Sequence, residues 1–174
     1  MIFRILASLA LLVLGAVLLV VIASFAVGKQ ALLELVFGPA ERSQVDFETL
    51  QLSPKPNQYL VCPPGYCPAD THLTSPVFDV SKGELQQAWS AMIDSEPRVR
   101  RLGSSLDGAQ IDYEATTPLM GYPDTVTVRF LEATEGGSTL VVFSRSHYGY
   151  GDLGANKKRI DDWLAKLADS LNSR

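Results

Sequence analysis

Two runs near the end of the chain constrain it most. TVTVRFLEA, from Thr125 to Ala133, alternates in character: Val126, Val128 and Phe130 point one way, Thr127 and Arg129 the other. Only TEGGS separates it from TLVVFSRSH, which ends at His147. A period of two marks a strand with one face buried, and a short glycine-bearing loop brings the second run back beside the first. The expectation is an antiparallel hairpin whose apolar face needs a cover.

Neighbouring segments extend the same pattern. Val99 to Ser104 and Ala109 to Thr116 read as two more strands, joined through SLDGA, where Asp107-Gly108 is a strong hairpin signal. Before them, VSKGELQQAWSAMIDSEP reads as a helix. Ser81 stands at the N-cap with Glu84 three residues on, Leu85, Ala88, Trp89 and Met92 recur at helical spacing, and Pro97 closes it. Trp89 reads as a core anchor. At the end of the chain Leu153, Ile160, Leu164, Leu167 and Leu171 form an apolar stripe with Trp163 beside it, opposite a wet face of Lys157, Lys158, Asp161, Asp162 and Lys166. The order is helix, four strands, helix. The expected fold is α+β, a four-stranded antiparallel sheet packed by two helices on one face.

The other end of the chain differs in character. Ile5 to Val27 is 23 residues without a charge, long enough as a helix to cover the ~30 Å hydrocarbon core. A single N-terminal transmembrane helix is expected here, with contact to the membrane through residues 5–27. The competing reading is a cleaved signal peptide with Ser24-Phe25-Ala26 as its cut site, against which the apolar run is long. Arg4 before the run and Lys29 after it leave only a slight basic bias, and the rest of the chain is expected outside the cytoplasm. The domain expectation is 1–28 as anchor, 29–76 as juxtamembrane segment and proline-rich linker, and 77–174 as the α+β domain. The linker carries seven prolines between Pro39 and Pro76 and one short extended piece at Gln58 to Val61.

Charge excludes one class of partner. Fifteen Lys and Arg against 19 Asp and Glu give a net charge of -4, with no basic stripe beyond Lys157-Lys158-Arg159, so nucleic acid is not an expected partner. The two cysteines lie in VCPPGYC. A disulfide between Cys62 and Cys67, free thiols, and a metal site each remain open; His72 alone does not complete a zinc set, and no metal or cofactor is expected.

The densest segment is FSRSHYGYGDLGANKKRI, between the last strand and the last helix. Gly149, Gly151 and Gly154 allow sharp backbone shapes. Asp152 can cap the helix, Asn156 can bond nearby backbone, and Arg159 can reach a carboxylate such as Asp152 or Asp124. The candidate functional or structural cluster is Asp124, Arg145, His147, Tyr150, Asp152, Asn156 and Arg159. The segment resembles the closing signature of the DUF1499 domain, a group of bacterial and plastid proteins without an assigned activity. The resemblance runs through Ser146 or a neighbour, Gly149, Asp152, Gly154, Asn156 and Arg159, and a second block, PLMGYPDTVTVRF, is similar through Gly121, Tyr122 and Asp124. The chain departs from the family's pattern at His147, where arginine is frequent, and at VCPPGYC. The resemblance implies a fold neighbourhood and frequent membrane or secretory targeting; the apolar run and its flanking charges set the expected location at the bacterial inner membrane, single-pass, with the domain in the periplasm. It implies no reaction.

Two functions follow as expectations. The first is a non-catalytic binding or assembly domain at the extracytoplasmic membrane face, with a protein or lipid partner on the sheet face that carries Tyr113, Thr125, Thr127, Arg129 and Arg145. The alternative is a hydrolase-like enzyme using Ser144 or Ser146, His147 and Asp152. It lacks the G-x-S-x-G elbow, and the serines and His147 differ in strand parity. Under a third, architectural reading, Asp124, Asp152, Asn156 and Arg159 form a buried network that pins the last helix to the sheet.

Overall fold

The computed structural model describes residues 2–118 and 121–173; the side chains of 2–4, 7, 23–27 and 29 also lie outside the described set, and with them those of the cut site at 24–26. The chain divides into two compact units, Met1–Ala40 and Glu41–Arg174.

In the first unit, helix α1 (Ile2–Val27) is followed after Gly28 by α2 (Lys29–Phe37). The described apolar side chains of α1, from Ile5 to Ile22, are exposed. Among the described residues no helix is long and apolar enough to cross a membrane. This overturns the expected transmembrane helix over 5–27. That expectation rests on the length of the uncharged run alone, 23 residues from Ile5 to Val27.

The second unit is built on one sheet. Its strands are β1 (Gln58–Cys62), β2 (Leu73–Thr74), β3 (Val99–Ser104), β4 (Gln110–Thr116), β5 (Pro123–Glu132) and β6 (Ser138–Ser146), in spatial order β2-β1-β6-β5-β4-β3. The expected four-stranded antiparallel sheet is therefore a six-stranded mixed one. The four expected strands do pair antiparallel in sequence, β3 with β4, β4 with β5 and β5 with β6. The two extra strands come from the segment read as linker. β1 pairs antiparallel with β6, and β2 pairs parallel with β1. The physical reason is that β1, QYLVC, is buried on both faces, so it shows no alternation, and its partner lies far away along the chain.

One face of the sheet packs against α3 (Lys82–Asp94) and α4 (Ala155–Asn172). The α3 start is a capping box: the Ser81 hydroxyl accepts from the Glu84 N–H at 3.3 Å, and the Glu84 carboxylate accepts from the Ser81 N–H at 3.0 Å. Its apolar stripe, Leu85, Ala88, Trp89, Met92 and Ile93, meets Ile160, Trp163, Leu164 and Leu167 of α4 over Val61, Ile111, Tyr113, Val126, Val128, Phe130, Leu140 and Val142. Trp89 stands edge-on to Trp163 and to Phe130, with centroids 5.9 and 6.3 Å away.

The opposite face is covered by the chain between Val45 and Ala69. Val45 and Phe47, with Leu50, Leu52, Tyr66 and Ala69, pack onto Leu60, Val141 and Phe143. The Gln110 side chain donates to the Val45 carbonyl at 2.9 Å and so fastens this strap to β4. A disulfide joins Cys62 at the end of β1 to Cys67, closing the VCPPGYC turn. Gly137 fits the turn before β6 for a steric reason: a Cβ there would lie 2.3 Å from the Phe78 carbonyl oxygen, and φ is +74°.

Candidate functional site

The residues singled out by the sequence fall into two groups on opposite faces of the sheet. Asp124, at the start of β5, points toward α4, as do Ser146, its cross-strand partner on β6, and Ser144 two residues earlier on the same strand. The corner from His147 to Gly154 then swings the chain back so that α4 crosses this end of the sheet. The Asp152 carboxylate accepts from the Gly154 N–H at 3.0 Å and the Asn156 N–H at 2.8 Å, so it satisfies donors of the first turn from outside the helix. Gly154 itself is the N-cap, in the left-handed region with φ 78°.

The first turn of α4 delivers Asn156 and Arg159 into a closed polar network. Asn156 is fully buried and uses its whole amide. Its Nδ2 donates to the Asn57 carbonyl at 3.0 Å and to Ser146 Oγ at 2.9 Å, while its Oδ1 accepts from Ser144 Oγ at 2.5 Å and from Arg159 at 2.7 Å. Arg159 also donates to Ser144 Oγ at 3.0 Å and pairs with Asp124 at 2.5 Å, with only 2% of the Asp124 side chain exposed. Burial pushes the Asp124 carboxyl above its ordinary pKa; the Arg159 charge and the bonds from Ser146 and Arg159 pull back without cancelling that effect. Asn57, just before β1, closes the ring by donating to the Ser146 and Gly149 carbonyls at 3.4 and 3.3 Å. The arrangement joins β1, β5, β6 and α4. Its polar groups bond to one another, which leaves little for a ligand.

Arg145 and His147 lie on the other face. The ladder register sets a row of cross-strand neighbours there: Arg100 on β3, Glu114 on β4, Thr125 on β5 and Arg145 on β6. Glu114, 1% exposed, takes Arg100 Nε at 2.9 Å on one carboxylate oxygen and Arg42 Nε at 2.8 Å on the other. Its burial opposes ionisation, but the hydrogen bonds from Arg100 and Arg42 outweigh it and hold its pKa below the ordinary glutamate range. His147 Nε2 and Thr125 Oγ1 share a 2.5 Å hydrogen bond. Burial, with the Arg145 and Arg42 charges, depresses the His147 pKa to about 4, so the ring is neutral at physiological pH. Arg145 lies over the Phe143 ring, 5.7 Å from its centroid, and donates to the Ser43 carbonyl at 3.2 Å.

The separation bears directly on the hydrolase arrangement. Ser144 is fully buried and tied to Asn156 and Arg159 on the helix side, whereas His147 binds Thr125 on the strap side. Asp152 faces the α4 backbone. Nucleophile, base and orienting carboxylate do not meet. Tyr150 stands exposed in the corner, and Tyr113, expected on the binding face, packs into the helix-side core. Among the described residues no group of His, Cys, Asp or Glu is arranged to hold a metal ion. Sequence reasoning missed Arg42, Asn57, Arg100 and Glu114. Glu114 carried a signal, since Gln110, Asp112 and Glu114 share one parity in β4; Asn57 and Arg42 carried none, because their partners lie far along the chain.

A strapped α+β sheet with one helical layer and a polar lock under its last helix defines the structural class. The family model for "Protein of unknown function (DUF1499)" matches residues 47–167, and the chain belongs to that family. Among solved structures, an uncharacterized protein from Rhizobium leguminosarum is similar at 19% identity and TM-score 0.42, covering 58% of this chain and 93% of that one. A protein from Nitrosospira multiformis is similar at 15% identity and TM-score 0.34, covering 57% of this chain and 92% of that one. No curated protein matches the chain.

Proposed function

We propose that this domain is a non-catalytic binding or assembly module, and that its working surface is the strap-side face around Arg100, Arg145 and His147. One observation carries the reading. The residues that mark the corner are consumed by holding α4 in place, whereas on the opposite face Glu114 takes only the Nε–H of Arg100, and Arg145 spends a single bond on a strap carbonyl. The pairing of Cys62 with Cys67 supports placing the domain in an oxidising compartment outside the cytoplasm.

Site-specific photo-crosslinking in cells tests the surface. A crosslinker at Arg100, whose side chain is 59% exposed, should yield a discrete adduct that the same crosslinker at Lys158, on the outer side of α4, does not. No adduct at Arg100 above the Lys158 background, together with ester hydrolysis by the purified protein, would reverse the reading in favour of an enzyme.

A further inference from the structure

The helix side carries a charged cleft of its own, away from the strap and independent of the binding surface above. It is open, holds about 300 Å³, and lies where the end of α3, the start of β3, the end of β4 and the flank of α4 meet. Its floor is apolar. Val99 and Ala115 are cross-strand partners that share the parity of Tyr113 and so face the helix layer, and the buried Trp163 closes the side toward α4. Among the described residues four cations line it, Arg98, Lys158, Arg159 and Lys166, against two carboxylates, Glu96 and Asp162. Lys158 pairs with Asp162 at 2.6 Å, Lys166 with Glu96, and Arg159 with Asp124. The Arg98 guanidinium meets no such partner among the described residues, so one positive charge is left over. The backbone holds Arg98 at this position. Its φ of 60° lies in the left-handed region, which a non-glycine residue seldom adopts, and its carbonyl accepts from the Thr116 N–H at 3.0 Å and the Thr116 hydroxyl at 3.5 Å.

We infer that this cleft binds a small amphiphilic monoanion, an aliphatic carboxylate whose chain lies along Val99, Ala115 and Trp163 and whose charge meets Arg98. The ligand chemistry follows from the lining. A chain laid on the floor removes apolar surface from water on both partners. A single guanidinium without a counterion balances one negative charge, and its paired N–H donors match the two oxygens of a carboxylate. A dianion would have to draw Lys158 or Lys166 away from the carboxylate it already holds. The volume stands at the lower end for a ligand cleft, so it suits a medium-length chain rather than a whole lipid.

Titration of the full chain with octanoate by NMR tests the cleft, reading the Val99 and Ala115 methyls, the Trp163 indole N–H and the Arg98 Nε–Hε. Saturable shifts are expected at each. Butyrate should bind roughly tenfold more weakly, because it lacks the methylenes that cover the floor, and octyltrimethylammonium should leave the Arg98 resonance unmoved. Arg98→Gln should weaken octanoate binding by on the order of fivefold at an unchanged Tm, since the side chain carries no bond of the fold. The pair of Glu96 with Lys166 adds a test of sign that a folding defect does not imitate. Glu96→Gln frees an ammonium and should tighten octanoate binding, whereas Lys166→Gln frees a carboxylate and should weaken it. Shifts that do not saturate, that octyltrimethylammonium reproduces at Arg98, or that are unchanged in Arg98→Gln overturn the site. So does a change of the same sign in Glu96→Gln and Lys166→Gln. Neither outcome touches the crosslinking result at Arg100, so the cleft and the strap-side surface stand or fall separately.

Discussion

The two polar clusters on either side of the sheet hold similar residues and do different work. On the helix side Asp124, Asn156 and Arg159 are enclosed, and each donor or acceptor meets another within the network. On the strap side Arg100, Arg145 and His147 stand at the rim, with one buried carboxylate between two guanidiniums and further donors left over. An arginine is therefore not evidence of function by its type. What separates Arg159 from Arg145 is whether the fold has already spent its hydrogen bonds.

The largest test of this contrast removes Arg159. Arg159→Met leaves Asp124 buried without its partner, which should destabilise the domain by ~3–5 kcal/mol and lower Tm by roughly 10 °C or more in a thermal melt. A fall no larger than that of a surface change would break the comparison. Asp152→Ala comes next. Asp152 is half-buried and serves the backbone of the first α4 turn, so its loss should cost ~1 kcal/mol, read as a lower denaturant midpoint with unchanged slope.

The pH response sharpens the strap side. The folded chain holds the His147 pKa at about 4 against 6.5 for a free ring, so between these values the unfolded state binds more protons. Stability should fall as pH drops from 6.5 toward about 4. Glu114, with its pKa held down, adds a fall of the same sign at lower pH, and Asp124, pushed up by burial, opposes it. His147→Gln should flatten the curve between pH 5 and 6.5, and an unchanged slope in urea melts across that range would show that the ring is not shielded. The smallest effect on stability belongs to Arg145→Gln, below ~1 kcal/mol by the same melts, because the fold loses one bond to a strap carbonyl and the contact over the Phe143 ring.

The four long strands and both helices of the second unit were legible because each carries a local period. TVTVRFLEA alternates, the two hairpin turns are marked by glycines, and Ser81 and Glu84 announce the start of α3. β1 was not legible as part of the sheet. Four of its five residues, Tyr59 to Cys62, are buried and face both layers in turn, and nothing local says that Val61 lies beside Val142. The membrane-spanning expectation rested on apolar length alone, and among the described residues no helix meets that requirement.

The site divides along the same line. The sequence by itself determined which residues sit in the corner and that Asp152 and Asn156 stand at the entry to a helix, because capping depends on neighbours a few positions apart. Strand parity already set Ser144 and His147 on opposite sides; only the tertiary structure decided that Arg159 takes Asp124 and not Asp152, and that Arg42 and Arg100 share Glu114. Those outcomes depend on strand register and on which layer covers each face. Both are set by burying two separate apolar surfaces at once, a condition on the whole chain that no short stretch of it contains.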